Sequence, residues 1–382
     1  MQLRHKIDSN FDTVVVGGGV VGLCLTWFLA REGVEVLCLN DGRHSGSTAN
    51  AGSLHGQMQS RLIQMFPKRV PDFEKTLSIY PRAIDYWTEI ADQLDDDIEI
   101  SICGGLMVAE NDTQMKMLAD KCRLERRNGI ETSLLGRSEL LQLAPYLNPD
   151  IKGAVLCPKE GKLNPLLANA AIRRQALRHN GTIADNSRVD FIERAKRGFI
   201  VACGERKFLA RRVIIAAGAG SGALAATLGI RLPITAEPLH MNISEPIEPF
   251  MQHVVQHAER PITMKQTHTG QLVIGGGWPA HLGSSRGVPT VLLESLLGNL
   301  RLAQHIVPGI HELRVVRTWA GINPMLDLIS VLGAVESLPG IYLAIPGDAG
   351  YTLAPYCAAL VVDAMLGREP DYPLQQFSHQ RF

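Results

Sequence analysis

Three glycines near the start of the chain have the spacing of a phosphate-binding turn. The apolar run Val14 to Val16 leads directly into Gly17-x-Gly19-x-x-Gly22, and a helix-like segment connects this turn to a second apolar run, Val34 to Leu39. In such a strand–turn–helix–strand unit the first glycine permits the tight turn, the second lets the backbone approach a pyrophosphate, and the third allows the helix to pack closely. Since the helix N-terminus also offers unpaired N–H groups, the pattern predicts a dinucleotide site.

A loop of small and polar residues follows this unit. The segment Ser45 to Gly52 has no hydrophobic period, so its backbone can lie against a planar ligand. The hydroxyls of Ser47 and Thr48 and the amide of Asn50 could then bond that ligand. A flexible surface loop is the alternative that composition alone leaves open.

Two further apolar runs are typical of strands buried on both faces of a parallel sheet. Val213 to Ala216 enters Ala217-Gly218, and Ile341 to Ile345 enters a segment of small residues. We therefore expect both strand ends to meet the same ligand. Pro355 is predicted to open the last helix, because proline is favoured at a first helical position.

The order of these elements predicts an α/β fold with a discontinuous nucleotide-binding domain. Its strands lie at both ends and in the middle of the chain, which assigns residues 1–90, 150–235 and 315–382 to it. The segments 91–149 and 236–314 contain alternating strand patterns and turns, and they predict a second, substrate-binding domain.

Composition narrows the class of protein. The chain has 382 residues and a formal net charge of zero, so no broad surface for nucleic acid is expected. Seven dispersed cysteines without a C-x-x-C pair argue against a zinc or iron–sulfur site and favour reduced thiols in a cytoplasmic protein. No stretch reaches the about 18 uninterrupted apolar residues of a membrane span. We expect a soluble protein without a metal site.

Four blocks together resemble the D-amino-acid-oxidase type of FAD-dependent oxidoreductase over nearly the whole chain. They are the segments Gly17–Gly22, Ser45–Gly52 and Val213–Gly218, and the pair Trp319–Pro324 and Gly350–Pro355. The resemblance implies a Rossmann-like FAD-binding domain and an antiparallel-sheet substrate domain. It also implies a set of cofactor-binding residues: Gly17, Gly19, Gly22, Asn40, Asp41, Ser47, Thr48, Ala49, Asn50, Ala51, Gly52, Val189, Ala217, Gly218, Gly350, Thr352 and Leu353.

One position departs from the family pattern. The family usually has Glu on the adenosine ribose at the end of the second strand, and this chain has Asn40 there, followed by Asp41. A hydrogen bond to a charged group contributes about 1.5–3 kcal/mol, against about 0.5–1.5 kcal/mol for a neutral one. Either the weaker bond is tolerated or Asp41 replaces the missing carboxylate. Asparagine would also tolerate the 2′-phosphate of NADP, but the other blocks favour FAD.

Within the family, the segment Ala49–Gln57 and the closing Ala349–Pro355 resemble the β subunits of heteromeric bacterial amine dehydrogenases. Opine (octopine or nopaline) oxidases are the most similar, with hydroxyproline or proline dehydrogenases, hydrogen cyanide synthase and glycine oxidase nearby. This resemblance implies an amine or amino-acid substrate and partner subunits that carry further redox centres. It leaves open a second flavin, FMN, at a subunit interface.

The implied reaction is hydride transfer from the carbon next to an amine nitrogen to flavin N5, which gives an imine and needs no dedicated acid or base. His55 is a candidate for the substrate cavity, Arg317 for the substrate carboxylate, and Tyr351 for the flavin edge. For His55 the alternative is a structural histidine, and for Arg317 it is an ordinary salt bridge. Further candidates are Lys162, Asn164, Lys265 and His268, of which Asn164 is also explained as a helix cap.

Three functions follow from these residues. The first is the catalytic subunit of a heteromeric dehydrogenase for an opine or imino acid. The second is a free-standing glycine or D-amino-acid oxidase that uses O2. The third is a flavin-bound scaffold subunit whose partner performs the chemistry, and it would require a sealed or filled substrate cavity.

Overall fold

The computed structural model describes residues 8–42, 46–283 and 288–382, with only the backbone described at 61–63. The helices are α1 (Val20–Arg31), α2 (Ser60–Met65), α3 (Val70–Glu74), α4 (Ile79–Ala91), α5 (Asp112–Arg127), α6 (Arg137–Leu143), α7 (Pro165–Arg178), α8 (Ser221–Ala226), α9 (Leu293–Ile306) and α10 (Gly350–Met365). The strands are β1 (Ser9–Val16), β2 (Val36–Leu39), β3 (Ser53–Leu54), β4 (Gly105–Ala109), β5 (Ser133–Gly136), β6 (Gly153–Cys157), β7 (Gly161–Lys162), β8 (Thr182–Ala184), β9 (Phe191–Arg194), β10 (Phe199–Cys203), β11 (Arg206–Ile215), β12 (Thr235–Pro246), β13 (Val254–His257), β14 (Thr263–Gln266), β15 (Gln271–Gly275), β16 (His281–Leu282), β17 (Pro289–Thr290), β18 (Val315–Met325), β19 (Val331–Ala334) and β20 (Ile341–Ile345).

The first sheet is built around β1 and has a parallel centre. Its order is β19-β20-β11-β1-β2-β8, and the β9–β10 hairpin extends the N-terminal part of β11. Val14 and Val16 pack into the core on one face of β1, and Val15 packs into the core on the other face. Such a strand is apolar at every position because helices or strands cover both faces of the sheet.

The register of the first sheet brings several strand ends to one edge. Val16 lies opposite Leu39 of β2 and Ile215 of β11, and Leu39 lies opposite Ala184 of β8. Ligands bind beyond the carboxyl ends of strands in open α/β sheets. The residues that follow β1, β2, β8 and β11 therefore share one potential binding edge.

The second sheet has the order β18-β12-β15-β14-β13-β4-β6-β5 and is antiparallel apart from the β13–β4 pair. One face packs against α9: Leu272 and Ile274 of β15 lie in the same core as Leu302 and Ile306 of that helix. Successive side chains on a strand point to opposite faces. Val273, which lies between Leu272 and Ile274, therefore faces away from this core and lines a cavity.

The predicted α/β fold with two sheets is confirmed by this architecture. The predicted domain division differs from the sheet pairing at two places, because β6 and β18 were assigned to the nucleotide-binding domain and both pair within the second sheet. Strand β6 pairs with β4 and β5, and β18 pairs with β12, and local sequence patterns do not reveal this pairing. Among the described residues, no helix is long and apolar enough to cross a membrane.

The start of the last helix differs from the prediction. Helix α10 begins at Gly350, and Pro355 lies inside it. A proline has no N–H group, so the carbonyl four residues earlier loses its helical hydrogen bond. That carbonyl belongs to Tyr351, and the indole Nε1 of Trp87 donates a hydrogen bond to it at 3.0 Å. The packing of α4 on α10 thus compensates for the interior proline.

We expect Trp87→Phe to reduce the free energy of unfolding by about 1–3 kcal/mol more than Trp27→Phe, because it leaves the Tyr351 carbonyl buried and unpaired. Trp27 is a matched control: it is similarly buried, and its Nε1 has no hydrogen-bond partner among the described residues. Urea unfolding followed by circular dichroism measures the difference. Equal losses in the two variants would contradict the role given to this hydrogen bond.

Candidate active site

The turn between β1 and α1 has the close approaches that its glycines predict. Gly17 has a φ of +117°, and a Cβ atom there would overlap the carbonyl of Ala216 at the end of β11. A Cβ atom at Gly22 would overlap the carbonyl of Gly17. The first and third glycines therefore permit a turn that no other residue allows without a backbone shift.

The N-terminus of α1 is suited to bind an anion. No acidic residue lies in its first turn, and Gly19 is its N-cap. The Val20 N–H donates to Ser47 Oγ at 2.9 Å, which places the small-residue loop directly over this helix end. The first N–H groups of a helix have no partner within the helix. The turn thus fits the pyrophosphate of FAD, with Ser47 beside it.

Asn40, which follows β2, is the position that departs from the family pattern. Its Nδ2 donates to Asp185 Oδ1 at 2.8 Å, and Arg173 binds the same carboxylate through both terminal nitrogens. Burial alone would raise the pKa of Asp185, but the hydrogen bonds from Asn40 and Arg173 outweigh burial and lower it. A charged carboxylate therefore stands beside Asn40.

Asp185 is a residue that the sequence analysis missed. It follows β8, a strand of three residues whose pattern is too short to recognise, and β8 ends at the same edge as β2. Its position at a carboxyl strand end is the one feature that could have revealed it. Asp41 also has an interaction partner in the structure. The two alternatives, a tolerated weaker bond from Asn40 and replacement of the family's glutamate by Asp41, both remain predictions.

The flavin-side loop, which we define as residues 46–57, is held between the two sheets. Trp319 Nε1 on β18 donates to the Ala49 carbonyl at 2.8 Å. The Gly52 N–H donates to Asn50 Oδ1 at 2.7 Å, which stabilises the turn that Gly52 forms with a φ of +74°. Ser45, the first residue of the predicted loop, lies outside the described residues.

Two glycines, one after a strand and one at the start of a helix, leave space where a ligand would need it. A Cβ atom placed on Gly218, after β11, or on Gly350, at the start of α10, would have no described atom within 4 Å. Thr352 and Leu353 are buried behind Gly350, and Thr352 Oγ1 accepts a hydrogen bond from the His55 N–H at 3.0 Å. The α10 N-terminus is thereby joined to the flavin-side loop.

A cavity of about 2060 Å³ lies between the flavin-side loop and the second sheet. Small-molecule sites typically measure about 300–1,000 Å³, so this space can hold an extended cofactor together with a substrate. Thr48, Ala49, Asn50 and Ala51 line one wall. The other wall comes from the sheet and its neighbours, and four of the predicted candidates line it: Lys162, Asn164, Lys265 and His268.

Arg317 also lines this cavity, from β18. It is exposed, and its guanidinium lies 6.0 Å from the ring centroid of Trp319. No carboxylate lies within salt-bridge distance of it among the described residues, so the alternative of an ordinary salt bridge does not apply there. A forked guanidinium without a counter-ion is suited to bind a substrate carboxylate.

Tyr351 does not have the predicted place at the flavin edge. Its side chain is only 4% exposed, stacks on Trp87 with ring centroids 5.5 Å apart, and does not line the cavity. Its hydroxyl donates to the carbonyl of Pro165 and to Asn169 Oδ1. Burial raises its pKa well above the usual value. The structure contradicts a substrate-binding role, because helix α10 turns this side chain into the core.

His55 also lies outside the large cavity. Its Nδ1 is buried, makes no hydrogen bond among the described residues, and lies 3.6 Å from Glu160 Oε1. His55 lines a small space of about 10 Å³ together with Phe73 and Tyr80. The alternative of a structural histidine therefore agrees with the structure, and direct contact with substrate does not.

Asn164 and Val189 have different outcomes. Asn164 Oδ1 accepts hydrogen bonds from Leu166 N and Leu167 N, so it caps α7 as predicted even though it also lines the cavity. Val189 is buried, while its neighbour Arg188 lines the cavity. The contact of Val189 with adenine remains a prediction.

Comparison with known proteins identifies the class of protein. A family model described as FAD dependent oxidoreductase (DAO) matches residues 12–364. The chain is 26% identical to one of the subunits of opine oxidase from Rhizobium meliloti, over 97% of both chains. It is 25% identical to glycine oxidase of Geobacillus kaustophilus over 98% of both chains. The structure of L-proline dehydrogenase from P. horikoshii superposes with a TM-score of 0.86 at 20% identity, over 98% of both chains.

The chain belongs to the DAO family of FAD-dependent oxidoreductases, as the fingerprint and the three distant blocks predicted. FAD is therefore its cofactor. The named relatives are a subunit of an opine oxidase and a glycine oxidase. The family match confirms the predicted enzyme class, an FAD-dependent oxidoreductase.

We expect Gly22→Ala to reduce the FAD content of the purified protein at least tenfold, because the added Cβ overlaps the Gly17 carbonyl and displaces the turn. Absorbance of the released flavin measures this content. Gly309→Ala is the matched control, since a Cβ atom there meets nothing within 4 Å. Circular dichroism checks that both variants fold. Full flavin content in folded Gly22→Ala would refute the role of this turn.

Proposed function

We propose that this protein is the catalytic subunit of a heteromeric dehydrogenase that oxidises a secondary amine or α-amino acid, such as an opine or imino acid, to an imine. Bound FAD supplies the chemistry by accepting the hydride at flavin N5. The observation that carries the proposal is the unpaired guanidinium of Arg317, which faces a wide cavity opposite the flavin-side loop.

The chain's own residues position the substrate. Arg317 binds the substrate carboxylate, and its distance from the loop is fixed because Trp319, two residues further on β18, bonds the Ala49 carbonyl. Ile243 and Val273 supply an apolar surface between the polar groups. Such fixed placement lowers the barrier by orienting the reacting carbon rather than by transferring protons.

The surface supports membership of a larger assembly. Large apolar side chains are exposed on α9, with Leu293 at 68% and Leu297 at 44%. Leu292, directly before α9, is exposed as well. Clusters of exposed apolar residues are typical of protein–protein contacts. The relative from Rhizobium meliloti is itself one subunit of its oxidase, which agrees with such an assembly.

The prediction of FMN at a subunit interface gains no support, so the proposed function includes FAD alone. A cytoplasmic location remains a prediction.

A free-standing glycine or D-amino-acid oxidase is the second candidate. It is favoured by the match to a glycine oxidase over 98% of both chains. The scaffold alternative requires a sealed or filled cavity, and a cavity of about 2060 Å³ argues against it.

Anaerobic titration of the purified protein with octopine, nopaline, D-hydroxyproline, L-proline and glycine distinguishes these functions. We expect at least one of the four secondary amines to bleach the flavin absorbance, because the cavity accommodates a substituent on the nitrogen. Bleaching by glycine alone, with rapid reoxidation in air and peroxide formation, would replace the proposal by the oxidase. A flavin that none of the five reduces would refute both.

We expect Arg317→Met to raise the KM of the best substrate about 10–100-fold with a much smaller effect on kcat, because a charge-assisted hydrogen bond contributes about 1.5–3 kcal/mol to binding. Arg317→Lys should recover part of the loss. The control is Arg314→Met, an exposed arginine just before β18 that does not line the cavity. An unchanged KM in Arg317→Met would show that the carboxylate binds elsewhere.

A further inference from the structure

A row of four residues crosses the cavity face of the second sheet. Lys265 of β14 lies opposite Val273 of β15, Val273 lies opposite Ile243 of β12, and Ile243 lies opposite Arg317 of β18. All four line the cavity. Neighbouring strands are about 4.8 Å apart, so three steps place the Cα atoms of the two cationic residues roughly 14 Å apart. The row therefore has a cation at each end and an apolar middle.

A second lysine accompanies the one on β14. Lys162 of β7 donates from Nζ to the Gln266 carbonyl at 2.7 Å, next to Lys265 in the chain. Lys265 is only 2% exposed, and its Nζ makes a single long hydrogen bond of 3.4 Å, to the Leu163 carbonyl. Both side chains thus line the cavity at one place and bond only to neutral carbonyl oxygens.

This lysine pair has no counter-ion. Among the described residues, no carboxylate lies within 4 Å of either ammonium group. Glu99 lines the same wall, but its Oε2 already accepts a hydrogen bond from Asn164 Nδ2 at 3.1 Å. Two adjacent amines that face a cavity without a counter-ion favour an anion there, because a bound anion would pair the ammonium charge that burial otherwise makes costly.

The pKa of Lys265 shows the same imbalance. Burial and the nearby charge of Lys162 lower it to about 7, while Cys103 and Glu99 act in the opposite direction. The other charged or titratable residues that line this cavity are Asp97, Arg188, His268 and Arg317. At pH 8 the amine is therefore mostly neutral, and a bound anion would raise its pKa and make it take up a proton.

We propose that Lys162 and Lys265 form an anion subsite that binds a second carboxylate of the substrate. This inference rests on the proposed function and narrows its substrate to a secondary amine with a carboxylate on each side. One carboxylate lies at Arg317, the other lies at the lysine pair, and the alkyl part contacts Val273 and Ile243. The separation across the row favours carboxylates that are several bonds apart.

Calorimetric titration of the FAD-loaded protein tests the subsite without turnover. The probes are glutarate, a dicarboxylate that the enzyme cannot oxidise, and propionate, a short monocarboxylate. We expect glutarate to bind at least tenfold more tightly than propionate. At pH 8, titrations in two buffers of different ionisation enthalpy should show that the protein takes up close to one proton when glutarate binds. This proton uptake should disappear at pH 6, where Lys265 is already charged.

Matched variants show which lysine side chains cause the tighter binding of glutarate. Lys265→Met and Lys162→Met should each weaken glutarate binding at least tenfold and leave propionate unchanged, since propionate needs only Arg317. Lys265→Arg should retain tight glutarate binding but lose the proton uptake, because arginine stays charged. Lys196→Met, at an exposed lysine in the β9–β10 turn, is the control for a lost surface charge.

Equal binding of glutarate and propionate, or unchanged glutarate binding in both lysine-to-methionine variants, would overturn the subsite. These outcomes are separate from the fate of the proposed function. Flavin reduction by a secondary amine together with no preference for glutarate would remove only the subsite. Tight glutarate binding in a protein that no amine reduces would leave the subsite standing and remove the proposed function.

Discussion

The buried carboxylate of Glu160 joins the flavin-side loop to the second sheet. It is fully buried, and it accepts hydrogen bonds from the N–H groups of Gly56 and Gln57 in the loop and from Gln256 Nε2 on β13. Removing a carboxylate from water costs several kcal/mol, and charge-assisted hydrogen bonds offset that cost only when the donors are correctly placed. The position of the loop relative to the sheet therefore depends on this one side chain.

The cavity follows from that constraint. The loop is fixed at its far end by Glu160 and at its near end by Trp319, which bonds the Ala49 carbonyl from β18. Lys121 donates to Gln57 Oε1 and so extends the buried network to α5. Because both walls are held by interactions within the chain, the space between them is formed before any ligand binds. Preorganisation of this kind reduces the free-energy cost of ordering on binding.

Short-range patterns predicted the cofactor side of the molecule, and long-range pairing decided the substrate side. The glycines at 17 and 22 could be interpreted because their function is local, in one turn between a strand and a helix. Asp185 was missed because β8, the strand that precedes it, has only three residues and gives no recognisable pattern. Tyr351 was misjudged because its direction depends on where α10 begins and on the stacking partner Trp87, which lies far away in the sequence. Strand β18, which the predicted boundaries place in the nucleotide-binding domain, pairs within the second sheet with β12, a strand far away in the sequence.

Register determines which side chains of the second sheet line the cavity. Met264 and Lys265 are adjacent on β14, yet the first lies in the core shared with α9 and the second lines the cavity. A shift of one residue would exchange them and bury the ammonium against α9. The pairing with Val273 on β15 excludes that shift, because Leu272 and Ile274 on either side of it are needed in the core. The hydrophobic core on one face of the sheet thus fixes which charged side chains face the cavity on the other.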